Sequence, residues 1–304
     1  MISTAKKVSL KNNYTGYTIE GDTDLISVEY EVAWDPGTTE RRFVWEYLTH
    51  EDFIRYTEFP SHSVILEGII KACKEYFPFF ENFSVDGGGI EANIPPMCLT
   101  LHKSDEIQEY LVEYMDFLKY LGFSDESLSA GIHVNVDMSM LGRTQLDKSK
   151  TIRKLCQFAF DNIDFVIKFS GRKRGAQILS DMYHFLGDVY NLKPKSENLR
   201  EFLIHKNLLA DFFMSDNTSS HLSLFNMHAG KCGRDALEIR WFGTTLDIKE
   251  YYQILEFAVS LIHFSRESTF EKLSESDYIQ YVKEHPTMYN NLLDKLITHI
   301  NRIR

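Results

Sequence analysis

Four short stretches of the chain alternate apolar and polar residues at a period of two, so in a strand each turns its polar side chains to one face. In "LEIRWF", Leu237, Ile239 and Trp241 point one way and Glu238 and Arg240 the other. In "SVEYEV", Glu29 and Glu31 oppose Val28, Tyr30 and Val32, and in "GIEANI", Glu91 and Asn93 oppose Ile90, Ala92 and Ile94. In "GIHVNVD", His133, Asn135 and Asp137 oppose Ile132, Val134 and Val136. Any one of these is accounted for by a sheet with a wet face, and Glu238 with Arg240 by a surface ion pair. Taken together they depart from the Lys, Thr, Ser and Gln of a solvated face. They offer the oxygen and nitrogen donors that divalent cations take. Clustered carboxylates repel one another unless a cation joins them. If the strands are neighbours, a magnesium site satisfies that face, and such sites commonly also hold substrate phosphates.

The elements that must position these residues are legible in outline. "LISVEYEVAW" reads as a strand closed by Asp35, Pro36 and Gly37, and "SVILEGIIKACKEYF" as a helix capped at Ser63 and ended before Pro78. A strand pair is expected around "FSVDGGGIEANI", with the glycines at its bend. Asp105 and Glu106 open a helix behind a Ser104 N-cap, with Ile107, Leu111, Tyr114, Leu118 and Leu121 as its stripe. The spacing of Ile152, Leu155, Cys156, Ala159, Phe160, Ile163 and Ile167 predicts one helix running up to Gly171. "HLSLFNMHAGKCGRDALEIRWF" reads as a hairpin, and the chain from Ile248 to Arg304 as mainly helical with an interruption near Pro286. Without a regular βαβ alternation, the expected class is α+β, as one catalytic domain over residues 1–304.

Charge narrows the partners. With 33 basic against 44 acidic residues, the net charge of −11 disfavours a nucleic-acid backbone or an anionic membrane surface. "MISTAKKVSL" lacks the apolar run of a secretion signal, and no stretch approaches the ~18 apolar residues of a membrane span. A cytoplasmic protein is expected. Cys73, Cys98, Cys156 and Cys232 form no CxxC pair and read as reduced thiols. Neither common glycine-rich phosphate loop is present.

The ordered series "VEYEV", "GGGIEANIPP", "GIHVNV", "FSGR", "LFNM" and "LEIRWFGTTLDIKEYYQILEF" resembles the glutamine-synthetase-like carboxylate–amine ligases. Within them it is similar to the amidoligases, some of which are encoded by bacteriophages. The resemblance implies an antiparallel sheet curved into a half-barrel, flanked by helices, whose concave face binds Mg2+ and ATP. It implies metal ligation by Glu29, Glu31, Glu91, His133 and Glu238, and a hold on substrate or phosphate by Arg240. Asn135 stands where similar proteins carry a second, nucleotide-serving histidine; it can hydrogen-bond a phosphate but carries no charge. Arg172, Lys173 and Arg174 in "FSGRKRGAQ" match an arginine-bearing segment, with Arg172 the candidate catalytic cation, although a solvated helix end also favours cations. Asn226 falls at a position near the nucleotide.

The activity so implied is amide formation. ATP phosphorylates a small-molecule or peptide carboxylate, and an amine displaces the phosphate. The segments Asp35 to Thr49 and Ser180 to Ser196 are candidate lids that exclude water. Two alternatives stand beside it: a kinase acting on a guanidino group, and a non-catalytic nucleotide- or ligand-binding protein of the same fold.

Overall fold

A computed structural model describes residues 6–9, 15–34, 62–86, 88–125, 130–171, 225–229 and 235–303. Nine strands among these residues form one sheet: β1 (Lys6–Ser9), β2 (Thr15–Thr18), β3 (Leu25–Trp34), β4 (Asn82–Asp86), β5 (Gly89–Cys98), β6 (Phe123–Ser124), β7 (Gly131–Asp137), β8 (Phe225–Ala229) and β9 (Asp235–Gly243). Seven run in the order β1-β2-β5-β3-β7-β9-β8. β4 pairs with β5 and β6 with β3. Eight described helices complete an α+β architecture: α1 (His62–Tyr76), α2 (Leu99–His102), α3 (Asp105–Tyr120), α4 (Gln145–Asp161), α5 (Ile163–Ser170), α6 (Ile248–Glu267), α7 (Glu275–Glu284) and α8 (Asn290–Ile303).

The sheet is mixed, which corrects the all-antiparallel expectation. β2 and β3 are consecutive and β3 is antiparallel to β5, but β5 inserts between them and pairs parallel to β2, at Tyr17 opposite Met97. The β3–β5 register also shifts between Ile26 and Val28, so that Pro95 and Pro96 together oppose Ser27. Neither proline has an N–H to give, and a bulge is where a strand tolerates them. The β4–β5 bend uses its glycines as expected. Gly88 has φ of 92°, and a Cβ on Gly89 would lie 1.9 Å from the Val32 carbonyl oxygen.

The apolar faces of the strands are buried. Val28, Tyr30 and Val32 of β3, Ile90, Ala92 and Ile94 of β5, Ile132, Val134 and Val136 of β7, and Leu237 and Ile239 of β9 belong to one core with the helices. α1 packs on β4 and β5, α5 on β9, and α6 on β7. Tyr30 lies between Tyr114 of α3 and Tyr251 of α6, and its hydroxyl donates to the Thr245 carbonyl. This layer fixes which way the opposite face looks, because a one-residue slip would turn every apolar side chain outward.

Some helix boundaries differ from expectation. α1 begins at His62, which puts Ser63 inside its first turn. Ser104 takes the N-cap position of α3 without a side-chain bond, while Gly122 follows with φ of 80°. The helix expected up to Gly171 is two, α4 and α5, broken at Asn162. Its side chain donates to the carbonyls of Phe158 and Leu273 and accepts from Glu275 N–H, so it serves the α7 start as well. The C-terminal part breaks at His285 to Tyr289, beside Pro286 as expected, and again between α6 and α7.

One buried carboxylate ties the helices together. Glu256 of α6, fully buried, accepts from Lys103 Nζ at 2.6 Å, Asn291 Nδ2 at 2.9 Å and the Leu292 N–H at 2.7 Å. It thereby satisfies a first-turn donor of α8. Glu256→Ala should lower stability by about 2 kcal/mol, because it leaves the Leu292 N–H without its acceptor and takes the counter-charge from Lys103, whose ammonium keeps the Met288 carbonyl and Asn290 Oδ1. Urea unfolding of the variant measures this.

Candidate metal centre

The side chains singled out in the sequence meet because of strand register. Glu29 lies opposite Asn93 on one side and His133 on the other, Glu31 lies opposite Glu91, and Asn135 lies opposite Glu238. Three carboxylates surround a single imidazole nitrogen. His133 Nδ1 is 3.2 Å from Glu238 Oε1, 3.4 Å from Glu29 Oε2 and 3.4 Å from Glu31 Oε1. The polar face is therefore not a solvated one: Glu29, Glu31, His133, Asn135 and Glu238 are all buried.

The remaining contacts orient the carboxylates. Glu31 Oε2 accepts from Gly131 N–H at 3.1 Å, Glu29 Oε1 from Asn135 Nδ2 at 3.2 Å, and Glu91 Oε1 from Asn93 Nδ2 at 3.0 Å. Arg240 Nη1 lies 3.3 Å and 3.4 Å from the two oxygens of Glu238. Asp137, on the same face by alternation, turns away to accept from Ser139 N–H at 2.8 Å and closes the turn after β7.

Two groups of potential ligands emerge, where the sequence suggested one. Glu29, His133 and Glu238 place one donor atom each within 4.8 Å of one another, and so do Glu31, Asp86 and Glu91. Asp86 was missed by the sequence reading. Its signal was present in "NFSVD": Ser84 pairs with Glu91 and Asp86 with Gly89, so Asp86 follows the alternation onto the acidic face.

Protonation follows from this crowding. Burial alone would lower the His133 pKa, but the hydrogen bonds to Glu238 and Glu29 and the nearby Glu31 charge outweigh it and raise it to about 9. Burial pushes the Glu31 carboxyl up to about 7; His133 and Arg240 oppose that push, while Asp86 and Glu91 add to it. At neutral pH the face thus holds an imidazolium among carboxylates as an internal counter-ion. The donor set fits a divalent cation: five carboxylates face one imidazole and one guanidinium among the described residues, with oxygen in excess, as Mg2+ or Mn2+ requires. Nδ1 is the His133 nitrogen directed to the carboxylates, while Nε2 is buried with no hydrogen-bond partner among the described residues.

β9 is less regular than its sequence. Its register with β7 shifts between Ile132 and Val134, and Phe242, not Trp241, stands opposite Ile132. The shift comes at Arg240 and Trp241, and such a bulge re-aims the side chain it carries. Asn226 of β8 pairs in register with Glu238, which brings its backbone to the same centre. Arg172, Lys173 and Arg174 lie outside the described residues, as do both candidate lids. No described helix is long and apolar enough to cross a membrane. The sequence matches no protein-family model and no curated protein.

Proposed function

We propose that the chain is a magnesium- and ATP-dependent amidoligase whose phosphoryl-transfer centre is the acidic face of the sheet. The observation that carries this is the convergence of Glu29, Glu31 and Glu238 on His133 Nδ1, with Asp86 and Glu91 alongside. A buried cluster of that charge is costly unless cations neutralise it. Glu29, His133 and Glu238 would hold one ion, and Glu31, Asp86 and Glu91 a second. A divalent cation bound there neutralises the charge spread over the oxygens of a transferring phosphate.

The chain's own residues supply the rest. Arg240, at the more exposed side of the cluster, offers a guanidinium suited to a carboxylate or phosphate oxygen. Amide formation, rather than another phosphoryl transfer, rests on the ordered motifs of the sequence. So do the half-barrel curvature and the nucleotide roles of Arg172, Lys173, Arg174 and Asn226.

Calorimetric titration with Mg2+, then with ATP, tests the centre. Turnover is read with hydroxylamine as the amine across a panel of carboxylates, since it converts an acyl phosphate to a hydroxamate that ferric ion then turns into a coloured complex. ADP and free phosphate released in step with hydroxamate support the ligase. Phosphate retained on a guanidino acceptor identifies a kinase, and Mg2+–ATP binding without turnover a binding protein. A chain that binds neither Mg2+ nor Mn2+ removes the basis of the reading.

A further inference from the structure

We infer that Asn135 is a positioning residue of the cation site, which sets the direction of the Glu29 carboxylate, and not a contact for the nucleotide. The inference rests on the metal-centre reading above and assigns a new role within it. β7 runs between β3 and β9, so Asn135 is flanked by Ser27 on one side and Glu238 on the other, one strand repeat from His133. It is 4% exposed, and its Nδ2 donates to Glu29 Oε1 at 3.2 Å. The opposite orientation of the amide would set its oxygen against a carboxylate oxygen, so the hydrogen bond fixes which way the amide faces.

The consequence lies at the other oxygen of Glu29. A glutamate side chain rotates freely unless one end is held, and holding Oε1 determines where Oε2 points. Here Oε2 is 3.4 Å from His133 Nδ1, inside the group that includes Glu238. The residue type matters. A lysine would place a fixed charge where the ion belongs, whereas asparagine donates a hydrogen bond and stays neutral at every pH. Ser27, the short partner across the strand, leaves the amide room to reach past it to Glu29. Second-sphere partners of this kind tune a metal site through the ligand they hold.

The test uses the full chain with Mn2+ as the probe, read by electron paramagnetic resonance for both affinity and line shape. Affinity for a non-hydrolysable ATP analogue is measured separately at saturating Mn2+. Asn135→Leu, nearly isosteric, and Asn135→Ala, in case the first fails to fold, should each weaken Mn2+ binding about tenfold and broaden its spectrum. Analogue affinity at saturating Mn2+ should not change. Asn135→His, whose ring Nδ1–H reaches the place of the amide nitrogen, should restore the parental spectrum. Weaker analogue binding at saturating Mn2+ overturns the inference and makes Asn135 a nucleotide contact. Unchanged Mn2+ affinity and line shape overturn it as well. If the parent chain itself takes up no Mn2+, the metal-centre reading fails together with it, which separates that failure from a failure of Asn135 alone.

Discussion

With divalent cations chelated, Glu31→Gln should be more stable than the parent chain at pH 8, and it should gain far less when Mg2+ is added. Burial raises the Glu31 carboxyl from an ordinary 4.5 to about 7. The folded state therefore prefers the protonated form. The stability this contributes is complete below about pH 4.5 and is lost as pH rises through about 7, by roughly 3 kcal/mol at full titration. Glutamine carries no such charge, and its amide oxygen can still accept from Gly131 N–H, as Glu31 Oε2 does. Part of the gain is returned because His133 loses one of the carboxylates that sustain its proton, so the net expectation is about 1–2 kcal/mol. A neutral amide is also a poor ligand beside Asp86 and Glu91, so Mg2+ binding adds little to its stability. Urea unfolding at pH 5 and pH 8, with chelator and with Mg2+, measures both effects. A variant less stable than the parent at pH 8 in chelator would make Glu31 a structural anchor for β7.

The acidic face was legible because a period of two leaves only two choices of side. Once Val28, Val134 and Ile239 are committed to the core, Glu29, His133 and Glu238 have nowhere else to point. What alternation cannot supply is adjacency. That β5 enters between β2 and β3, bringing Glu91 beside Glu31, is a pairing of strands far apart in the chain. The resemblance suggested that the strands adjoin, but not the parallel pairing with β2 that the insertion creates.

Other misses have local causes. Asp86 obeyed the same alternation as its neighbours, but "NFSVD" ends at a glycine bend, where a carboxylate reads as turn chemistry. Asn162 breaks a continuous helical pattern because its side chain serves two backbone groups of a distant segment, the Leu273 carbonyl and the Glu275 N–H, besides the Phe158 carbonyl of its own helix, and tertiary demand overrides propensity. Glu256, in the stretch "YYQILEF", sits amid apolar neighbours that give no warning of Lys103 and the α8 N-terminus converging on it.

Glu238 and Arg240 should separate under substitution. Glu238 is fully buried, with one oxygen 3.2 Å from His133 Nδ1, and belongs to the first ligand group. Glu238→Gln removes an anionic ligand and should lower Mn2+ affinity by about 100-fold, at least as much as disturbing a ligand's own support does. Arg240, 14% exposed, meets Glu238 through Nη1 while standing nearer solvent, where a substrate anion arrives. Arg240→Lys keeps the charge that balances Glu238 but loses the planar guanidinium, so Mn2+ affinity should stay within a few-fold of the parent. Hydroxamate formation should instead fall, through a higher KM for the carboxylate if Arg240 holds substrate, or a lower kcat if it holds the transferring phosphate. Mn2+ titration and steady-state kinetics on both variants decide the matter. Equal loss of Mn2+ in the two, with folding intact, would mean that Arg240 acts by orienting Glu238, since the 3.3 Å contact between them is the one both substitutions disturb.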